Sequence, residues 1–340
     1  MQNSSQWHYR QVFLQPPNTP TPTKPDLRQV CDQMLIDWER TFGEQGSLRP
    51  HIDRWFFIRY GEGGYHVRLR YQSPPENRAA TIDPLLDAEL LRFFQDHAAT
   101  VGLQHPPQAI DELYAAGYLR DLTYEPEYAK YAGKLGMALA EQHFAYSSTI
   151  CLRVLQASAN SGVARSFWVL ELVHDLLEQL SPDPYVQALI VRSYLDYWIA
   201  QVVGDRAAFL RGLEQHFERQ APAIRQRLGS LRHNNKYSLF ADWRTHLHNH
   251  FADLQAAEAN QHLQSSVIEH FQRYQAQLPT VVAQSPLTGL LFVPNYLHLV
   301  QNRLGLSIMQ ELQLLYMLYR VLLAELPAEP ISVPLILEPR

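Results

Sequence analysis

WFFIRYGEGGYHVRLRYQS, residues 55–73, places two runs of strand-forming residues on either side of a glycine-rich reversal. Gly61, Gly63 and Gly64 allow the backbone angles that such a reversal requires. Successive side chains of a strand point to opposite faces, so His66, Arg68 and Arg70 share one face and Tyr65, Val67, Leu69 and Tyr71 the other. Alternate strand positions lie about 7 Å apart, so the row is about as long as one glutamate residue. Two guanidiniums held that close repel each other and ask for an anion between them. The same spacing also suits the solvated outer face of an edge hairpin. Arg59, on the partner run beside Trp55 and Phe57, is a further candidate for substrate binding, with its direction left open by the pattern.

Outward from the hairpin, residues 7–14 (WHYRQVFL) predict another strand, and the proline-rich residues 15–25 an extended connection. From Asp26, Leu27, Val30, Met34, Leu35, Trp38 and Phe42 recur at helical spacing. After the hairpin, Asp83 is expected as N-cap and Pro84 as first residue of a helix carrying Leu86, Leu90 and Phe93. Residues 116–124 suit one more strand. Beyond about residue 126 the pattern is helical, with long segments near 163–180, 184–203, 205–229 and 240–276, two of them apolar almost all round and hence buried. A helix ending at Gly305 is followed by Ser307 and Gln310, spaced as a capping box. The expectation is an α+β fold in one domain: a strand-rich lobe over about 1–125, with a central hairpin, packed against a mostly helical lobe over about 126–340.

The 340 residues carry a formal net charge of −5, which argues against a broad nucleic-acid surface but not against a small anion held by a few arginines. No apolar run reaches membrane-spanning length, so no membrane contact is expected, and the start lacks a secretory pattern. Cys31 and Cys151 are the only cysteines and have no zinc-site spacing. The cytoplasm is the expected compartment. His246 and His250 stand one helical turn apart around His248, but no acidic or cysteine partner stands nearby, and neither a metal nor a cofactor is expected.

His298 and Asn302 lie four apart on a helix, with Arg303 next, and a histidine held by helix packing suits proton transfer near neutral pH. Taken alone, such a histidine is more often a hydrogen-bonded structural one. Glu127 and Lys130, three apart, would form an ordinary surface pair on a helix.

Taken in order, WFFIRYGEGGYHVRLR, YEPEYAKYAG, EQHFAYSSTICLRVL and HLVQNRLG resemble the thiopeptide-type bacteriocin biosynthesis domain, the glutamate-elimination part of class I lanthipeptide dehydratases, to which the pyridine synthases of thiopeptide pathways are related. The resemblance runs over nearly the whole chain. It implies catalytic roles for Arg68 and Arg70 as an anion clamp and His298 as the proton-transfer residue, with His66, Arg59, Lys130, Asn302 and Arg303 in supporting or substrate-binding positions. It implies action on the leader and core of a precursor peptide beside a separate glutamylating subunit, no direct nucleic-acid contact, and a homodimer as one option. The reaction implied is β-elimination of glutamate from glutamylated Ser or Thr. The alternatives are formation of a nitrogen heterocycle from two dehydroalanines by formal [4+2] cycloaddition, and a non-catalytic module that docks the leader peptide. Lys130 stands where the family has arginine, Ala132 where it has glycine, and Ser147–Ser148 where it has an Asp–Ser pair.

Overall fold

A computed structural model of the chain describes residues 5–16, 27–233, 238–263, 269 and 287–326. Most of the proline-rich connection, Asp26, and nearly all of the 240–276 segment beyond residue 263 fall outside the described residues. The fold is α+β, mostly helical with one small antiparallel sheet. Two compact units divide it: Met1–Pro126 with Glu141–Ser161, and Glu127–Ala140 with Gly162–Arg340.

The first unit is built on strands β1 (Gln6–Phe13), β2 (Arg54–Tyr60), β3 (His66–Ser73) and β4 (Leu119–Leu122), in the order β2-β3-β1-β4. The expected hairpin is present, with Gly63 and Gly64 at positive φ in its turn. The strand expected over 116–124 shrinks to four residues, because Gly117 (φ 80°) turns the chain just before it. Register pairs His66 with Phe13 and Tyr60, Arg68 with Gln11 and Ile58, and Arg70 with Tyr9 and Phe56. Directly paired residues share a face, so these nine side chains lie on one side of the sheet.

The opposite face carries the buried Val12, Phe57, Val67, Leu69 and Tyr71. Helix α1 (Leu27–Asp37) meets it through Asp32, and α2 (Asp83–Asp96) through Asp83 and Asp87. Asp83 is not an N-cap. A short turn at Pro75–Asn77 and a π-turn at Arg78–Ile82 already carry helical backbone into α2, so Asp83 has helical angles. Its carboxylate instead accepts from the Tyr71 hydroxyl (3.0 Å) and Arg78 Nε (3.2 Å).

Helix α3 (Gly133–Ser161) contributes residues to both units. Its N-cap, Ala132, is left-handed (φ 58°, ψ 41°), which explains why the resembled pattern has glycine there. A left-handed conformation costs an L-residue about 1–2 kcal/mol. Glycine would relieve that, but would add about 0.5–1 kcal/mol of backbone entropy and lose a buried methyl worth about 0.8 kcal/mol. Ala132→Gly is therefore expected within about 0.5 kcal/mol of wild type in urea unfolding, since these terms nearly cancel. Ala140→Gly, inside α3 and fully buried, has no strain to relieve and should lose about 1.5 kcal/mol.

The second unit contains α4 (Arg165–Leu180), α5 (Pro184–Val202), α6 (Arg206–His233), α7 (Ser238–Ala259), α8 (Leu287–Arg303) and α9 (Ile308–Ala324). Helices α7 and α8 pack on α4, and α9 packs on α5 and α6. Gly305 (φ 78°) ends the α8 segment, and the Ser307–Gln310 capping box starts α9 as expected. Among the described residues no helix is long and apolar enough to cross a membrane.

Candidate functional site

His66 is buried, stacked between the rings of Phe13 (4.4 Å) and Tyr60 (5.6 Å). Its Nδ1 lies 2.7 Å from the Gly64 carbonyl oxygen, which can only accept, so Nδ1 carries the proton. Nε2 is then the acceptor for Arg68 Nε at 3.2 Å, with Gln11 Nε2 at 3.4 Å. Burial, aided by the Arg68 and Arg120 charges, pulls the His66 pKa below its ordinary value. A neutral imidazole thus aims Arg68 and adds no charge of its own. The Arg68 guanidinium carbon sits 3.3 Å from the centroid of the Tyr60 ring. That of Arg70 is caged by Tyr9 (4.8 Å), Phe56 (5.3 Å) and Tyr124 (5.3 Å). Arg70 Nε is buried with no hydrogen-bond partner among the described residues, and burial holds the guanidinium pKa below its usual value.

Arginines on the other face of the same sheet are treated differently. Arg10 donates to Asp121 (2.8 Å), pairs with Asp87, and lies 3.5 Å from Asp83. Arg59 is buried against Asp32 at 2.7 Å. Each such contact is worth about 4 kcal/mol of Coulomb attraction at an effective dielectric constant near 20. On the His66 face the strand positions include Arg54, Arg68, Arg70 and Arg120 and not one Asp or Glu. Among the described residues, no carboxylate pairs with Arg68 or Arg70. Arg59 does not join the row: its register partner is Val67, which puts it on the Asp32 side.

Glu141, on α3, is a site residue that the sequence reading passed over. It is buried, and it accepts from the hydroxyl of Tyr124 (2.8 Å), whose ring walls Arg70. Trp7 packs on Tyr124 (5.2 Å) and Phe56 (5.3 Å) and also hydrogen-bonds the carboxylate. Burial raises the Glu141 pKa; the two hydrogen bonds and the Arg54 and Arg70 charges oppose it. Its only trace in the sequence is its place at the head of EQHFAYSST. The two serines there hold backbone groups: Ser147 donates to the Phe144 carbonyl (3.2 Å), and Ser148 Oγ accepts the Phe57 N–H (3.3 Å).

Lys130, Asn302, Arg303 and His298 belong to the helical unit. Lys130 pairs with Glu127 at 3.6 Å, as expected of a surface pair, but on an exposed turn instead of a helix. Asn302 is half-buried, and Arg303 is fully buried in the interior. His298, on α8, is half-buried. Its Nδ1 lies 3.0 Å from Glu311 Oε2, and the Trp198 ring is 5.4 Å from its own. The half-buried His246 stacks at 5.8 Å on the buried His250, whose Nε2 meets the Tyr296 hydroxyl (3.0 Å). Among the described residues no group of His, Cys, Asp and Glu is arranged to hold a metal ion.

The lantibiotic biosynthesis dehydratase C-terminal family matches residues 27–322. The chain belongs to this family. Three solved structures share the fold of this lantibiotic dehydratase C-terminal chain. TsrL has 15% identity and a TM-score of 0.64 over 95% of each chain. The pyridine synthase TbtD from thiomuracin biosynthesis has 16% identity and a TM-score of 0.65, over 94% of this chain and 98% of its own. The tRNA-dependent lantibiotic dehydratase MibB from Microbispora sp. 107891 has 18% identity and a TM-score of 0.53, over 94% of this chain but 28% of its own. No curated protein sequence matches. The family places the chain in lantibiotic-type modified-peptide biosynthesis, and the three structures share its fold.

Proposed function

We propose that the chain eliminates glutamate from glutamylated Ser or Thr of a precursor peptide, and that the His66–Arg68–Arg70 face receives the negative charge of that reaction. The observation that carries the proposal is the unneutralised arginine pair beside two neutralised ones on the same sheet. In the elimination a base takes the Cα proton, its electron pair forms the Cα–Cβ double bond, and the Cβ–O bond breaks to release glutamate as a carboxylate. Two negative charges need stabilising: the enolate-like oxygen as the proton leaves, and the departing carboxylate. Arginine suits both, with a permanent charge and a donor fork that matches carboxylate geometry. The proton transfer is assigned to His298, on the chemistry of imidazole and the match to the family's H-x-x-x-N-R pattern. A separate glutamylating partner supplies the esterified peptide, in the cytoplasm.

A second reading, pyridine synthase, is favoured by the likeness to TbtD over nearly its full length. There the same face would stabilise an oxygen anion during cyclisation. One experiment separates the two. The purified protein is incubated in parallel with a synthetic peptide glutamylated at serine and with a peptide carrying two dehydroalanines, and product masses are followed. Loss of glutamate from the first supports elimination, and conversion of the second alone supports cyclisation. If both peptides stay intact, with and without the partner enzymes, the chain is a docking module and the proposal fails.

A further inference from the structure

A carboxylate beside His298 points to a device that the sequence did not disclose. Helices α8 and α9 are joined by a short turn whose geometry is pinned twice, by Gly305 at φ 78° and by the reciprocal Ser307–Gln310 capping box. This turn brings Glu311, in the first turn of α9, against His298, thirteen residues earlier. The side chain of Glu311 is 1% exposed, that of His298 28%. A carboxylate so deeply buried requires donors. Among the described residues it has two, both on Oε2: His298 Nδ1 at 3.0 Å and the Tyr194 hydroxyl from α5. Its other oxygen is buried with no hydrogen-bond partner among the described residues.

A carboxylate accepts and never donates when ionised, so the proton of a neutral His298 sits on Nδ1, and Nε2 keeps the lone pair. When Nε2 takes a proton, the positive charge that forms lies against a fixed negative one in a site of low dielectric. We propose that Glu311 is a positioning residue: it holds His298 in the Nδ1–H tautomer and stabilises its imidazolium, while Tyr194 holds Glu311. The inference rests on the assignment of proton transfer to His298 where it concerns turnover, but the tautomer stands apart from that assignment.

The test combines 15N NMR of the imidazole in the full chain with steady-state turnover of the glutamylated peptide. Glu311→Gln keeps an acceptor oxygen and removes the charge. Its Nδ1–H pattern should persist while kcat falls about tenfold at unchanged KM. Glu311→Leu removes the acceptor, so the tautomers should mix and kcat should fall about 10²-fold, again at unchanged KM. An unaltered 15N pattern in Glu311→Leu overturns the proposal. If that variant does not fold, an unchanged kcat in Glu311→Gln, with His298→Ala slow, overturns it instead. A changed pattern with unchanged turnover in both Glu311→Leu and His298→Ala leaves the dyad standing and sinks the role given to His298.

Discussion

Arg70→Met is expected to make the strand-rich unit more stable and to remove most of the activity. Among the described residues the guanidinium is buried with no carboxylate paired to it, Glu141 acting on it only from behind Tyr124, and burial already works against its charge. Replacing even a buried ion pair by apolar chains of similar volume is often neutral or stabilising by about 1–4 kcal/mol, and a charge with no paired carboxylate has less attraction to lose. Three ring contacts return part of that gain, each on the order of 0.5–1 kcal/mol. Methionine then recovers some of the loss through sulfur–aromatic contact. The net expectation is about 1 kcal/mol of added stability in urea unfolding. Turnover of the glutamylated peptide should fall by about 10²–10³-fold, the usual scale for removing a preorganised anion donor. Arg10→Met is the control. It removes the cation that pairs with Asp87 and leaves Asp83 and Asp121 with Arg78, and it should lose about 1.5–3 kcal/mol. If Arg70→Met destabilises as Arg10→Met does, Arg70 is a structural cation and the anion reading of the face is wrong.

The helical unit is expected to lose about 4 kcal/mol of stability between pH 7 and pH 4. Burial lowers the pKa of His246 from 6.5 to about 4 and that of His250 from 6.5 to about 3. A depressed histidine pKa means that the unfolded chain binds protons first, so this stability is present above pH 6.5 and drains as the pH falls toward the folded values. At pH 4 each imidazole has withdrawn about 3 kcal/mol, from about 1.4 kcal/mol per pH unit. Asp175 works the other way. Burial raises its pKa from 3.8 to about 6, against the opposing charge and hydrogen bond of Arg244, so it is costly as a carboxylate and returns about 2 kcal/mol as the pH drops through 6. The two histidines win. Chemical unfolding followed at several pH values should show the decline, and His246→Phe should remove close to half of the histidine contribution. A flat profile from pH 7 to pH 4 would show that neither imidazole stays neutral in the fold.

The hairpin and its cation row were legible because a strand has a period of two and the glycines mark its turn. The α8–α9 joint was legible for a similar reason, since a capping box is a local pattern. What was not legible depends on which helix covers which face. Spacing alone could not tell that Arg10 and Arg59 meet aspartates while, among the described residues, Arg68 and Arg70 directly touch rings and a neutral imidazole and no carboxylate, because Asp32, Asp83, Asp87 and Asp121 come from distant segments. Asp83 had the right neighbours for an N-cap, but the Arg78–Ile82 π-turn carried helical backbone past it. Glu141 and Glu311 read as ordinary helix residues. Their meaning comes from burial beside Tyr124 and His298, and burial is a property of the folded chain.

The hydrogen bond from the Phe57 N–H to Ser148 also bears on how the protein avoids self-association. Strand β2 is one margin of the sheet, and a bare margin is a template on which another chain can polymerise. Helix α3 occupies a backbone group there, as a stopper would. The other margin, β4, is only four residues long, three of them exposed and two of those charged, Arg120 and Asp121. Both borders are thus poor seeds for fibrils.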